Sequence, residues 1–85
     1  MTAQLTIPEA LGDIVRRFAP KSKGELRLAD ETRLIDEAGI DSPRMIDIVL
    51  EVEDRFGLTI EDQDAQSVRT FGDLVRLVRE RTEAK

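Results

Sequence analysis

The sequence predicts an all-α fold, and three observations carry that expectation. Apolar residues recur at helical spacing rather than in alternation. Cap-forming and helix-ending residues bracket those runs. The hydrophobic 40% of the chain is mostly Leu, Ile, Val and Ala, with three Phe and neither Trp nor Tyr, an aliphatic mixture that suits packed helices. Eighty-five residues leave room for one core, so residues 1–85 read as a single domain.

The first helix opens near Thr6. Thr6 and Glu9 stand at capping-box spacing, and Pro8 suits a first turn, where an N–H would lack a helical partner anyway. Leu11, Ile14, Val15 and Phe18 then form one apolar face, and Pro20 ends the helix. A long connection follows over residues 21–40; loops of this length are uncommon in compact domains and often functional. Leu26 and Leu28 alternate as a strand would, but the segment is isolated and charged. With Leu34, Ile35 and Ile40 they read as pegs that pin an ordered loop to the core.

The second helix runs from about Ser42 to Phe56, with Pro43 in its first turn and Gly57 at the left-handed stop position. Residues 58–68 read as an extended link with Ile60 inward, then one short helical turn. The last helix begins near Thr70, with Asp73 at the capping-box position and Phe71, Leu74, Val75 and Val78 on its buried face. The tail from residue 79 reads as solvated and fraying.

Composition narrows the chemistry. Cysteine and histidine are absent, which removes disulfides, thiolate metal sites and any Cys or His nucleophile–base pair. The net charge of −5 disfavours nucleic acid as a partner. No run reaches the roughly 18 apolar residues that span a bilayer, so no stable membrane insertion is expected. The N-terminus does not read as a signal peptide, Met1 fits a free-standing chain, and a cytoplasmic monomer is expected. Charge is unevenly spread: residues 41–64 carry 8 acids and 2 bases, whereas residues 65–85 carry 3 acids and 5 bases. The basic last helix, with Arg76, Arg79 and Arg81, reads as a solvated face.

The second helix is more apolar than its core contact requires. At about 100° per residue, Met45, Ile48, Val49, Val52 and Phe56 share one sector. Ile46 and Leu50 lie well off it, beside Asp47, Glu51 and Asp54, and read either as a small docking strip with steering charges or as the edge of a wider core. Ser42 stands at the start of this helix. It reads first as a helix cap. Without histidine, and outside a G-x-S-x-G turn, it is no unaided nucleophile. Its second reading is a hydroxyl modified by another enzyme, at a helix N-terminus that favours an anion.

The ordered motifs then carry a resemblance. Leu34 to Ser42 reads L-I-D-E-A-G-I-D-S, Ile48 to Gly57 reads I-V-L-E-V-E-D-R-F-G, and Thr70 to Val75 reads T-F-G-D-L-V, with an acidic E-D-Q-D between the last two. Over about residues 5–80 the chain resembles an acyl carrier protein. The resemblance implies a four-helix bundle with a long loop between helices 1 and 2 and a short third helix. It implies that Ser42 receives 4′-phosphopantetheine from coenzyme A, by way of a phosphopantetheinyl transferase, and that Asp41 helps place the transferase's metal ion. The arm's thiol would hold acyl or aminoacyl groups as thioesters for a loading ligase or synthase and acyl transferases. Asp47 and Glu51 match acidic contact positions for such partners, and Ile46 and Leu50 match apolar ones. Ile48, Val49, Val52 and Phe56 match positions lining the interior, where a fatty chain can shelter. Pro43 and Arg44 depart from the family's usual leucine and acid, which points to a dedicated partner set.

The function expected is therefore a non-catalytic carrier in fatty-acid, specialised lipid or polyketide biosynthesis. The alternatives are an aminoacyl or peptidyl carrier and a helical adaptor that has lost the arm. A calcium loop beginning at Asp62 is disfavoured, because Ser67 and Asp73 stand where such a loop needs glycine and usually glutamate.

Overall fold

A computed structural model describes residues 6–20 and 27–83 of the protein. Among them are four helices and no strand: α1 (Ile7–Phe18), α2 (Ser42–Phe56), α3 (Asp62–Ser67) and α4 (Phe71–Glu83). α1 packs against both α2 and α4.

α1, α2 and α4 begin where a side chain satisfies free amides of the first turn, whereas α3 starts at Glu61 with no side-chain cap. At α1 the Thr6 hydroxyl accepts from the Glu9 N–H at 3.3 Å, and Glu9 accepts from the Thr6 N–H at 3.1 Å. Glu9 is held below the usual carboxylate range by the Thr6 backbone N–H and then by the Thr6 hydroxyl. At α4 the arrangement repeats. Asp73 N–H donates to the Thr70 hydroxyl at 3.1 Å, while the Asp73 carboxylate accepts from Thr70 and Arg69 N–H at 3.2 and 3.1 Å. α2 ends at Gly57 in the left-handed region (φ 64°), which a residue without Cβ adopts at no cost.

The core is aliphatic, as composition implied. Leu11, Ile14 and Val15 of α1 meet Ile48 and Val52 of α2, and Leu74 and Val78 of α4, all fully or almost fully buried. Burial of each such side chain contributes roughly 1.5–3 kcal/mol before entropy is counted. Leu77 of α4 is buried too, although it falls outside the face read from spacing. Of the tail read as fraying, residues 79–83 are helical. α4 continues to Glu83, and Arg81 forms an ion pair with Asp64 that ties its last turn to α3.

The loop before α2 is fastened by backbone rather than by its apolar residues alone. Phe71 N–H donates to Thr32 carbonyl (2.9 Å), Gly72 N–H to Asp30 carbonyl (2.8 Å) and Leu34 N–H to Arg69 carbonyl (3.0 Å). Arg33 and Thr70 form an isolated antiparallel bridge within this contact. Leu34 and Ile40 are fully buried pegs and Leu28 is partly buried, while Leu26 lies outside the described residues. Ile35 is not a peg: its side chain is 57% exposed. Leu34 takes the inward position in this tight turn, and its neighbour points the other way.

Candidate functional site at the start of helix 2

The chain from Arg33 to Ile40 folds back on itself before α2. Arg33 N–H donates to the Glu37 carboxylate (2.8 Å), Arg33 carbonyl accepts from Glu37 and Ala38 N–H, and Ile40 N–H returns to Leu34 carbonyl (2.9 Å). Gly39 at φ 73° makes the reversal possible. Buried Ala38 and Ile40 anchor the turn, so the chain leaves it at a fixed place and direction, with Asp41 next.

Asp41, not Ser42, is the cap of α2. Its side chain accepts from the Arg44 N–H at 3.0 Å, and its carbonyl accepts from Met45 N–H at 2.9 Å. Ser42 is the first helical residue, exposed, and its hydroxyl has no hydrogen-bond partner among the described residues. The capping job that competed with a chemical role for Ser42 belongs to its neighbour, leaving a primary alcohol on rigid backbone with no structural duty. The first turn is a poorer anion cradle than helix starts in general. Pro43 has no N–H, and that of Arg44 is already bonded to the Asp41 carboxylate. Positive charge is supplied instead by the helix dipole and by the Arg44 guanidinium, which lies 3.9 Å from Asp41.

Beyond Ser42, α2 presents two faces. Ile48 and Val52 are fully buried, and Met45, Val49 and Phe56 pack partly buried against the same cluster. On the outer side Ile46 is 61% and Leu50 57% exposed, so the extra apolar pair is not the edge of a wider core. Pro43, Arg44, Asp47 and Asp54 are exposed around it, and Glu51 is half-buried where α2 approaches α1.

Residues 9–78 match the family model of the phosphopantetheine attachment site. An acyl carrier protein of an Exiguobacterium species is 33% identical over 75 residues, covering 87% of this chain and 95% of the relative. The chain belongs to the acyl carrier protein family. The acyl carrier protein of Thermotoga maritima is 35% identical over 54 residues, covering 64% of this chain and 67% of its own length. Among solved structures, a candidate acyl carrier protein of Mycobacterium tuberculosis superposes with a TM-score of 0.79 at 27% identity, covering 88% of this chain and 97% of that one.

The family's prosthetic group is 4′-phosphopantetheine, and the residues present fit it. A phosphodiester needs an accessible, unencumbered hydroxyl, and Ser42 offers one. Acyl carrier proteins carry rather than catalyse, so the absence of histidine and cysteine from the sequence is consistent with chemistry that arrives with the cofactor and the partners. No described helix is long and apolar enough to cross a membrane. The acidic turn that raised a calcium reading is the helix α3, and Asp64 within it is paired with Arg81.

Two residues that position the site are not apparent from spacing. The Glu53 carboxylate accepts from the Ile60 N–H at 2.7 Å and joins the end of α2 to the following link. Thr32, buried, accepts from Ala29 N–H with its hydroxyl at 2.9 Å and from Phe71 N–H with its carbonyl. In sequence each is one polar residue among many, seven or more positions from at least one partner.

Proposed function

We propose that Ser42 is the attachment point of 4′-phosphopantetheine, and that the chain carries acyl groups as thioesters in fatty-acid, specialised lipid or polyketide biosynthesis. The observation that supports this most is the division of labour between Asp41 and Ser42. The acid caps the helix, and the serine hydroxyl beside it is exposed and unbonded. In the transfer, Ser42 Oγ bonds to the phosphorus carrying the pantetheine arm, the bond from that phosphorus to the adenosine bisphosphate of coenzyme A breaks, and the hydroxyl proton passes to a base of the transferase. The thiol of the arm then supplies the thioester chemistry.

Each other residue has a part in this reading. Asp41 holds the first turn in shape and offers a carboxylate, exposed beside Ser42, to the metal ion of the transferase. Ile46 and Leu50 present the apolar contact to phosphopantetheinyl transferase, the loading ligase or synthase, and acyl transferases. Asp47 and Glu51 supply negative charge around it, and Pro43 and Arg44 narrow the partner set. Ile48, Val49, Val52 and Phe56 line the interior against which a fatty chain packs. The protein works as a cytoplasmic monomer, with neither nucleic acid nor a stably held membrane among its partners.

The test is intact-protein mass spectrometry. Incubation with coenzyme A and a promiscuous phosphopantetheinyl transferase adds one phosphopantetheine to the wild type and none to Ser42→Ala. A folded wild type left bare would overturn the proposal. The same measurement on protein from its native host reads the cargo, acyl or aminoacyl. Transfer rates with several partners for Pro43→Leu and Arg44→Asp test the partner role; an unchanged order of preference would refute it.

A further inference from the structure

The acidity of the docking face is not what a count of α2 charges implies, because α1 reaches into it. Arg17, in the last turn of α1, places its guanidinium 3.6 Å from the Glu51 carboxylate, with side chains 55% and 32% exposed. At about 100° per residue, Glu51 lies about 100° around α2 from Leu50, on the edge that meets α1, while Asp47 and Asp54 fall between them. Asp41 is likewise opposed by Arg44 at 3.9 Å. Asp47 and Asp54 have no ion-pair partner among the described residues. The face is thus a mosaic, with two acids offered freely and two answered from within the chain.

We propose that Arg17 is a specificity-determining residue of this carrier: by holding Glu51 in an internal ion pair, it weakens docking of uniformly basic partner surfaces and favours partners of mixed charge. The inference rests on Ser42 being the modified residue and α2 the docking helix. The pair is exposed enough that it adds little to folding, since surface ion pairs contribute little net stability. A partner cation approaching Glu51 must displace or repel Arg17, and the effect is strongest at low ionic strength, where charges about 10 Å apart still feel one another. A partner with a carboxylate beside its apolar contact receives Arg17 and meets no such opposition.

The experiment uses the intact apo-protein, coenzyme A and a phosphopantetheinyl transferase chosen for a basic docking surface. Arg17→Gln is expected to lower KM about two- to fivefold at low salt with kcat unchanged, an advantage that shrinks toward nothing at high salt. Arg17→Lys keeps the wild-type KM. In a Glu51→Gln background, Arg17→Gln brings a clearly smaller gain, limited to relief of Arg17's own repulsion, because the rest of its effect runs through the carboxylate. Unchanged KM for Arg17→Gln at low salt, or the same gain with and without Glu51, overturns the inference while leaving the carrier reading intact. Failure of every variant, wild type included, to accept the arm overturns both.

Discussion

Replacing Asp41 by Asn or by Ala separates the observed capping role of its carboxylate from the metal-positioning role proposed for it. As cap, Asp41 accepts the Arg44 N–H at 3.0 Å, and loss of such a cap to Ala costs about 1 kcal/mol. Its charge beside the helix N-terminus adds about 0.3–1 kcal/mol. Its contact with Arg44, at 3.9 Å between exposed side chains, adds little. Asp41→Ala therefore destabilises by about 1.5 kcal/mol, the sum of cap and charge. Asp41→Asn keeps an accepting oxygen and loses only about 0.5 kcal/mol of charge–dipole attraction. For a domain of this size each kcal/mol moves the midpoint by about 4–8 °C, so thermal melts resolve the two variants. Phosphopantetheine transfer, followed by mass, gives the second axis: both substitutions slow it strongly, because neither leaves a carboxylate for the transferase's metal. Equal melting of the two variants would refute the capping assignment. Transfer to Asp41→Asn at the wild-type rate would show that the acid serves the helix alone.

Other expectations test what delivers Ser42 to its place. A Cβ added at Gly72 would sit 2.8 Å from the Asp30 carbonyl oxygen, so Gly72→Ala forces loop and α4 apart; overpacking and a strained hydrogen bond outweigh the helix-propensity gain, for about 1–3 kcal/mol lost in chemical denaturation. Glu53→Ala leaves the buried Ile60 N–H unpaired at a cost of about 1–2 kcal/mol, and Glu53→Gln, which can still accept, loses less than half of that by the same measurement. Asp73 is held below the usual carboxylate range, first by the Arg69 N–H and then by Thr70 N–H. A depressed folded pKa means stability that is fully present above the unfolded value, about 3.9, and is lost as pH falls through the folded one. Urea midpoints from pH 6 to 2.5 should therefore fall less steeply for Asp73→Asn than for wild type; identical slopes would remove Asp73 from the acid dependence.

The helices were legible because their signals are local. Thr6 with Glu9 and Thr70 with Asp73 specify starts within four residues, Gly57 specifies a stop, and the Ile48–Val52 spacing names the inward side of α2. The order of motifs around Asp41 and Ser42 was enough to suggest the family. Ile35 misled because hydrophobicity states only that burial would be favourable, and a tight turn gives the inward position to one neighbour alone. The cap was read on Ser42 and lies on Asp41 for a related reason: Asp and Ser are about equally good at that position, so backbone geometry chose between adjacent residues.

By itself the sequence determined an aliphatic helical bundle, the starts of α1, α2 and α4 to within a residue or so, the end of α2 and the serine at the head of an amphipathic helix. Tertiary structure alone decided which exposed apolar residues have no cover, which loop carbonyls receive the amides of Phe71 and Gly72, and that Arg17 stands over Glu51, 34 positions away. The physical reason is range. Caps and helical faces depend on neighbours a turn away, whereas exposure and ion pairing depend on where the packed core brings distant segments together.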